Sequence, residues 1–100
     1  MDADEIRTLL GDNIFERAKK YRKRIQQSTC TVNEAGVRHI SAMVQGSGGS
    51  YYYTQAWLRE NGSFVSASCS CPYNQNGEGT YCKHIGALLL DDAEKNAPAP

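Results

Sequence analysis

Long apolar runs are what this 100-residue chain most lacks. The longest, "HIGALLL" at 84–90, falls far short of the roughly 20 residues a membrane-spanning helix needs, which excludes such a span. The opening "MDADEIRTLL" is acidic, with neither the basic start nor the apolar stretch of a secretory signal. No excess of charge of either sign singles out a partner: eleven Lys plus Arg balance eleven Asp plus Glu. Catalytic frames are missing too. There is no GxxxxGK[ST], no nucleophile elbow and no acid–base pair in a recognisable setting, so neither an enzyme nor a small-molecule substrate is expected. The runs of cysteine that hold iron–sulfur clusters are also missing. These absences suggest the cytoplasm, where thiols stay reduced and clustered cysteines bind metal more often than they form disulfides.

What the chain does have is a concentration of ligand atoms. Cys69, Cys71, Cys82 and His84 lie within "CSCPYNQNGEGTYCKH" at 69–84, so three of the four cysteines and one of the two histidines share sixteen residues. Cys69 and Cys71 end an extended stretch. Residues two apart on a strand point to the same face, which suits two adjacent corners of a tetrahedron and is a poor arrangement for a disulfide between them. Within a helix, residues two apart diverge by about 200°. Cys82 should therefore lie just before a helix and His84 in its first turn, where the positive helix end favours thiolates. Three sulfurs and an imidazole make a closed tetrahedral set whose default occupant is zinc, one per chain, without the open position a catalytic zinc keeps. Such a site carries a formal charge of about −1, which Lys83 could partly offset. Glu78 belongs to no H-x-E or H-E-x-x-H pattern and reads as solvated. Outside the cluster, Cys30 reads as a strand-interior residue and His39 as a surface strand residue.

The remaining periodicities predict an α+β fold: N-terminal helices, an antiparallel sheet of about four strands, and a C-terminal helix, stapled by the metal. "ADEIRTLL" is a short helix stopped by Gly11. A second helix is expected near Asn13, with a capping box between Asn13 and Glu16. Ile14, Ala18, Tyr21 and Ile25 recur at spacings of four, three and four and would form its apolar stripe. "TCTV" and "VRHISAMV" read as strands around a turn at "NEAG", with Ile40, Ala42 and Val44 alternating. After a turn at "GSGG", "YYYTQAWL" places Tyr52, Thr54, Ala56 and Leu58 on one face. "ENGS" then closes a hairpin onto "FVSAS". From Lys83 the pattern is helical, with Ile85, Leu88 and Leu89 on one side. Residues 1–93 form the expected domain and 94–100 a linker or tail. A core this small would gain from a metal that ties the fourth strand to the last helix.

Zero net charge conceals a local concentration of cations. Arg17, Lys19, Lys20, Arg22, Lys23 and Arg24 put six positive charges into eight residues, flanking the expected stripe. Two readings stand side by side: phosphate contact with nucleic acid, and a solvated helix face. Tyr51, Tyr53 and Trp57 could add stacking surfaces, although strand alternation turns about half of such a run inward.

CxC followed by CxH resembles the SWIM zinc finger. The likeness is strong over "VSASCSCPYNQNGEGTYCKHIGALLL" and weaker upstream. There "IFERAKKY" is similar to the helix that opens bacterial members, and "AMVQGSGGSYYY" to their strands. Ala18 stands where those sequences usually have Gly, and the loop after Cys71 is long for them. The family occurs in bacterial Swi/Snf-type helicases, Mutator-type transposases and some eukaryotic kinases and recombination cofactors. The resemblance implies a zinc-binding accessory module for DNA or protein interaction. Most simply it would be the N-terminal domain of a larger Swi/Snf-type ATPase, with a free-standing protein-interaction adaptor as the alternative.

Overall fold

The computed structural model describes residues 1–72 and 81–95. Helix α1 (Ala3–Leu10) begins with a complete capping box: Asp2 accepts from the Glu5 amide and the Glu5 carboxylate accepts from the Asp2 amide. Helix α2 (Asp12–Tyr21) follows after the single residue Gly11, which sits at φ 84° and serves as C-cap of one helix and N-cap of the next. The chain can turn so abruptly because glycine tolerates this left-handed value. No side chain caps α2, so the expected Asn13–Glu16 box does not form. With α1 ending one residue earlier, Gly11 already fixes the chain direction and supplies the carbonyl that the Phe15 amide needs.

The expected stripe also changes. Helix α2 stops at Tyr21, Arg22–Arg24 form a 3-10 turn, and Ile25 opens strand β1 (Ile25–Val32). Phe15 and Ala18 are the buried residues of α2, while Ile14 and Tyr21 are half-buried. Strands β2 (Arg38–Gln45), β3 (Tyr51–Leu58) and β4 (Phe64–Cys69) complete an antiparallel meander in the order β1-β2-β3-β4. Helix α3 (Lys83–Lys95) closes the fold. This is the α+β architecture that the periodicities predict. None of the helices among the described residues is long and apolar enough to cross a membrane.

One face of the sheet is covered and the other is open. Ile40, Ala42 and Val44 of β2, with Thr54, Ala56 and Leu58 of β3, are buried on the face that α3 covers. Ile6, Phe15, Ile85, Leu88 and Leu89 complete the core from the helical side. The two long helices approach closely at Gly86: a Cβ there would lie 2.7 Å from both Ala18 Cβ and Leu10 Cδ1. Ala18 is fully buried against that glycine. The small residue needed for close packing is thus supplied by α3.

Strand β1 lies at the edge, past the cover that α3 gives β2 and β3. Cys30 pairs with Ile40 and so points to the core face, yet it is exposed. The sequence reading placed it inside because strand alternation gives the face of a residue and not the extent of the helix above it. His39 lies on the open face as expected, stacked on Trp57 with centroids 4.8 Å apart and bonded through Nε2 to Gln55 Oε1 at 2.9 Å.

Candidate metal centre

Two elements deliver the ligands, each for a local reason. Strand β4 keeps its pairing with β3 to its end. Thr54 lies opposite Cys69, and the Ser70 amide still donates to the Tyr53 carbonyl at 3.1 Å. β4 ends at Cys69 and the chain bends at Cys71, yet Cys69 and Cys71 are both buried with their sulfurs in one cluster. On the other element, Cys82 directly precedes α3, and its carbonyl accepts the first helical bond, from Gly86, at 3.1 Å. His84 follows in the first turn. This is the placement that the divergence of i and i+2 in a helix requires.

The four ligand atoms lie within 4.8 Å of one another, and all four residues are buried. His84 turns Nδ1 to the sulfurs, 3.7 Å from Cys69 Sγ and 3.7 Å from Cys82 Sγ. In a tetrahedron with ordinary zinc–sulfur and zinc–nitrogen bonds the corresponding edge is about 3.6 Å, so these separations fit the ion. Soft thiolates and a neutral imidazole are also the donor set that selects it. All four corners come from protein, so zinc here would hold structure and leave no position for a substrate.

The thiols are strongly perturbed by one another. A hydrogen bond from Cys82 holds the Cys69 thiol well below its ordinary pKa; burial opposes this, and bonds from His84 and Thr54 add to it. Thr54 Oγ1 lies 3.4 Å from Cys69 Sγ. The same bond to Cys69, together with burial, pushes the Cys82 thiol up, so Cys82 keeps the shared proton.

Aromatic rings wall the centre. Tyr21 meets the His84 ring edge-on at 5.4 Å between centroids, and Tyr52 lies tilted at 5.1 Å. Sequence reasoning missed both as partners of the metal histidine. The signal available was the strand register, which puts Tyr52 on the face of Thr54 and hence of Cys69. Lys83 lies beside this wall. Its ammonium sits 4.9 Å above the Tyr21 ring, with Arg24 over the same ring at 4.9 Å. Burial would raise the Tyr21 hydroxyl pKa, but a hydrogen bond and attraction from Lys83, with help from Ser47 and Arg24, bring it below its ordinary value. The loop residues Tyr73 and Glu78 lie outside the described residues.

The six basic residues separate into two groups. Lys19 pairs with Glu16 at 3.1 Å; Arg22 pairs with Glu94 and, at 3.9 Å, with Asp91; and Arg24 donates to the Gly46 carbonyl at 2.9 Å. Arg17, Lys20 and Lys23 are exposed and have no ion pair among the described residues.

Comparison with known proteins agrees with this geometry. Searches of curated proteins and of solved structures gave no match. Residues 52–92, from β3 through both ligand pairs and most of α3, match the family model of the SWIM zinc finger, and within them Cys69, Cys71, Cys82 and His84 are positioned to bind one zinc ion.

Proposed function

We propose that this chain is a non-catalytic, zinc-stapled module that contacts nucleic acid through its α2 flank. The observation that carries the reading is how charge is distributed after internal pairing. Arg7, Lys19, Arg22, Arg38 and Lys95 all have carboxylate partners. Arg17, Lys20, Lys23, Arg24, Lys83 and Arg59 have none among the described residues. All of these but Arg59 belong to α2, the 3-10 turn after it, or the first residue of α3. Of the six cations without a carboxylate partner among the described residues, five thus gather along α2, the turn after it and the start of α3, as phosphate contact requires.

The larger chain we propose, a bacterial Swi/Snf-type ATPase with this domain at its N-terminus, rests on the resemblance of "IFERAKKY" and "CKHIGALLL" to such proteins. Within it the module would position nucleic acid or a partner for the motor and raise a weak affinity through tethering. The full reading frame and the ATPase rate of a version lacking this domain test that assignment.

One observation favours the adaptor alternative. The open sheet face carries Tyr51, Tyr53, Trp57, His39, Met43 and Gln55 without a formal charge among them, a composition typical of protein interfaces. The experiment that separates the readings is DNA binding by the zinc-loaded domain as salt is varied. We expect affinity to fall steeply with salt and to be lost in Lys20→Glu/Lys23→Glu, whose side chains lie off the core. Unchanged affinity in this variant removes the α2 flank from the account. No binding by the parent domain at low salt leaves the adaptor.

A further inference from the structure

His84 has a second nitrogen, and among the described residues it has no hydrogen-bond partner. With Nδ1 turned to the sulfurs, Nε2 carries the ring proton of the neutral imidazole and becomes a donor. Metal-bound histidines almost always give that proton to a carboxylate, a carbonyl or water. Here Nε2 is buried and has no hydrogen-bond partner among the described residues, although the residue is only 4% exposed. Such a donor is costly to leave unsatisfied.

Beside the ring lies a cavity of about 160 Å³, several times the ~30 Å³ share of one water in the liquid. Its lining includes Gly46, Ser47, Tyr52 and His84, with Arg17 and Lys83 bringing positive charge. Gly46 marks the side on which Nε2 lies: a Cβ built there would come 3.6 Å from that nitrogen. The same Cβ would strike the Tyr52 ring at 2.6 Å, so only glycine keeps this approach open. Lys83 is held near the cavity by the Tyr21 ring, and the first turn of α3 adds the positive end of a helix. Charge bookkeeping favours an anion. Three thiolates on a divalent ion leave about −1, and the two cations bring the local sum to about +1.

We propose that this cavity is a phosphate site, in which Nε2–H of His84, Arg17 and Lys83 together hold one phosphodiester of a nucleic-acid backbone. The assignment of the phosphate to nucleic acid rests on the function proposed above; the oxyanion site rests on the cavity and the orphan donor. Zinc would thereby couple folding to recognition, because fixing Nδ1 fixes the tautomer that donates.

The test uses the zinc-loaded chain with nitrogen-15-labelled histidine, probed separately with inorganic phosphate and with a short DNA duplex. We expect both probes to shift the His84 Nε2–H resonance. Arg17→Gln and Lys83→Gln, with zinc content unchanged, should each weaken DNA binding about tenfold and reduce the salt slope by about one phosphate contact. DNA binding that persists unchanged in both variants, with no shift at His84, overturns the site and leaves the proposed function standing. Phosphate binding lost in Arg17→Gln, with no DNA binding at all, supports the oxyanion site and overturns its assignment to nucleic acid. A resonance that neither probe moves overturns the proposal outright.

Discussion

The two ends of α3 are held to the fold by different physics. At its N-terminal end Cys82 and His84 reach into the metal centre, and Ile85, Gly86, Leu88 and Leu89 are buried behind them. At its C-terminal end Asp91 and Glu94 pair with Arg22 of the 3-10 turn and Asp92 with Arg38 of β2, while Lys95 pairs with Asp91 within the helix itself. The first end depends on close packing and on ligand chemistry, where a single misplaced atom is felt throughout the core. The second depends on charge pairs, whose worth falls with exposure and salt. The difference predicts that breaking the N-terminal end of α3 unfolds the domain, whereas breaking the C-terminal end only loosens the helix on β2 and the 3-10 turn.

The largest effect should come from breaking the metal end. Chelation of zinc, or His84→Ala, should abolish cooperative unfolding, because the free energy of zinc binding is folding free energy and amounts to about 10 kcal/mol or more in small zinc-dependent domains. His39→Ala, which loses only the Trp57 stacking and the Gln55 bond, should cost about 1 kcal/mol. Equal losses in a denaturant titration would mean that no zinc is held at His84. Loading should also release protons. The Cys82 thiol pKa is raised, so zinc must displace its proton, and apparent zinc affinity should increase with pH and fall as pH drops. Calorimetry in buffers of different ionisation enthalpy reads the proton count; a count of zero contradicts the three-thiolate assignment.

A smaller effect tests packing at the same end. Gly86→Ala gains about 1 kcal/mol of helix propensity. It also places a methyl 2.7 Å from Ala18 Cβ, and overpacking of this kind costs about 1–3 kcal/mol. Leu10 can rotate away and the Ala18 Cβ cannot, so net destabilisation is expected, with partial rescue by Ala18→Gly. A stabilised Gly86→Ala variant would show that α2 and α3 are not pressed together there.

The C-terminal end should respond least, and unevenly. Arg38 and Asp92 form two parallel bonds of 2.9 Å with side chains 19% and 11% exposed, and the Asp92 carboxylate raises the Arg38 pKa. Asp92→Asn leaves that guanidinium partly buried without its counter-charge and should cost about 1.5–3 kcal/mol. Arg22→Gln, at a more exposed pair, should cost less than about 1 kcal/mol, and that cost should fade in high salt. If the two variants cost the same and both effects vanish with salt, the bidentate pair is a surface pair like any other.

Much of this was legible in the chain itself. The ligand set follows from spacing alone, because a strand and a helix start each constrain where two nearby side chains can point. The alternation of Ile40–Ala42–Val44 and of Tyr52–Thr54–Ala56–Leu58 likewise assigns faces without any tertiary knowledge. Contacts between elements were beyond it. That Ala18 meets Gly86, that Arg22 and Arg38 find carboxylates on α3, and that Tyr21 and Tyr52 enclose His84 depend on how the helices cross the sheet, which no local periodicity encodes. The same reason explains Cys30. Its face was readable from the register of β1 on β2, but its exposure was decided by where α3 ends its cover of the sheet. And the second nitrogen of His84 acquires its meaning only in the folded protein, where it is buried beside a cavity without a partner among the described residues.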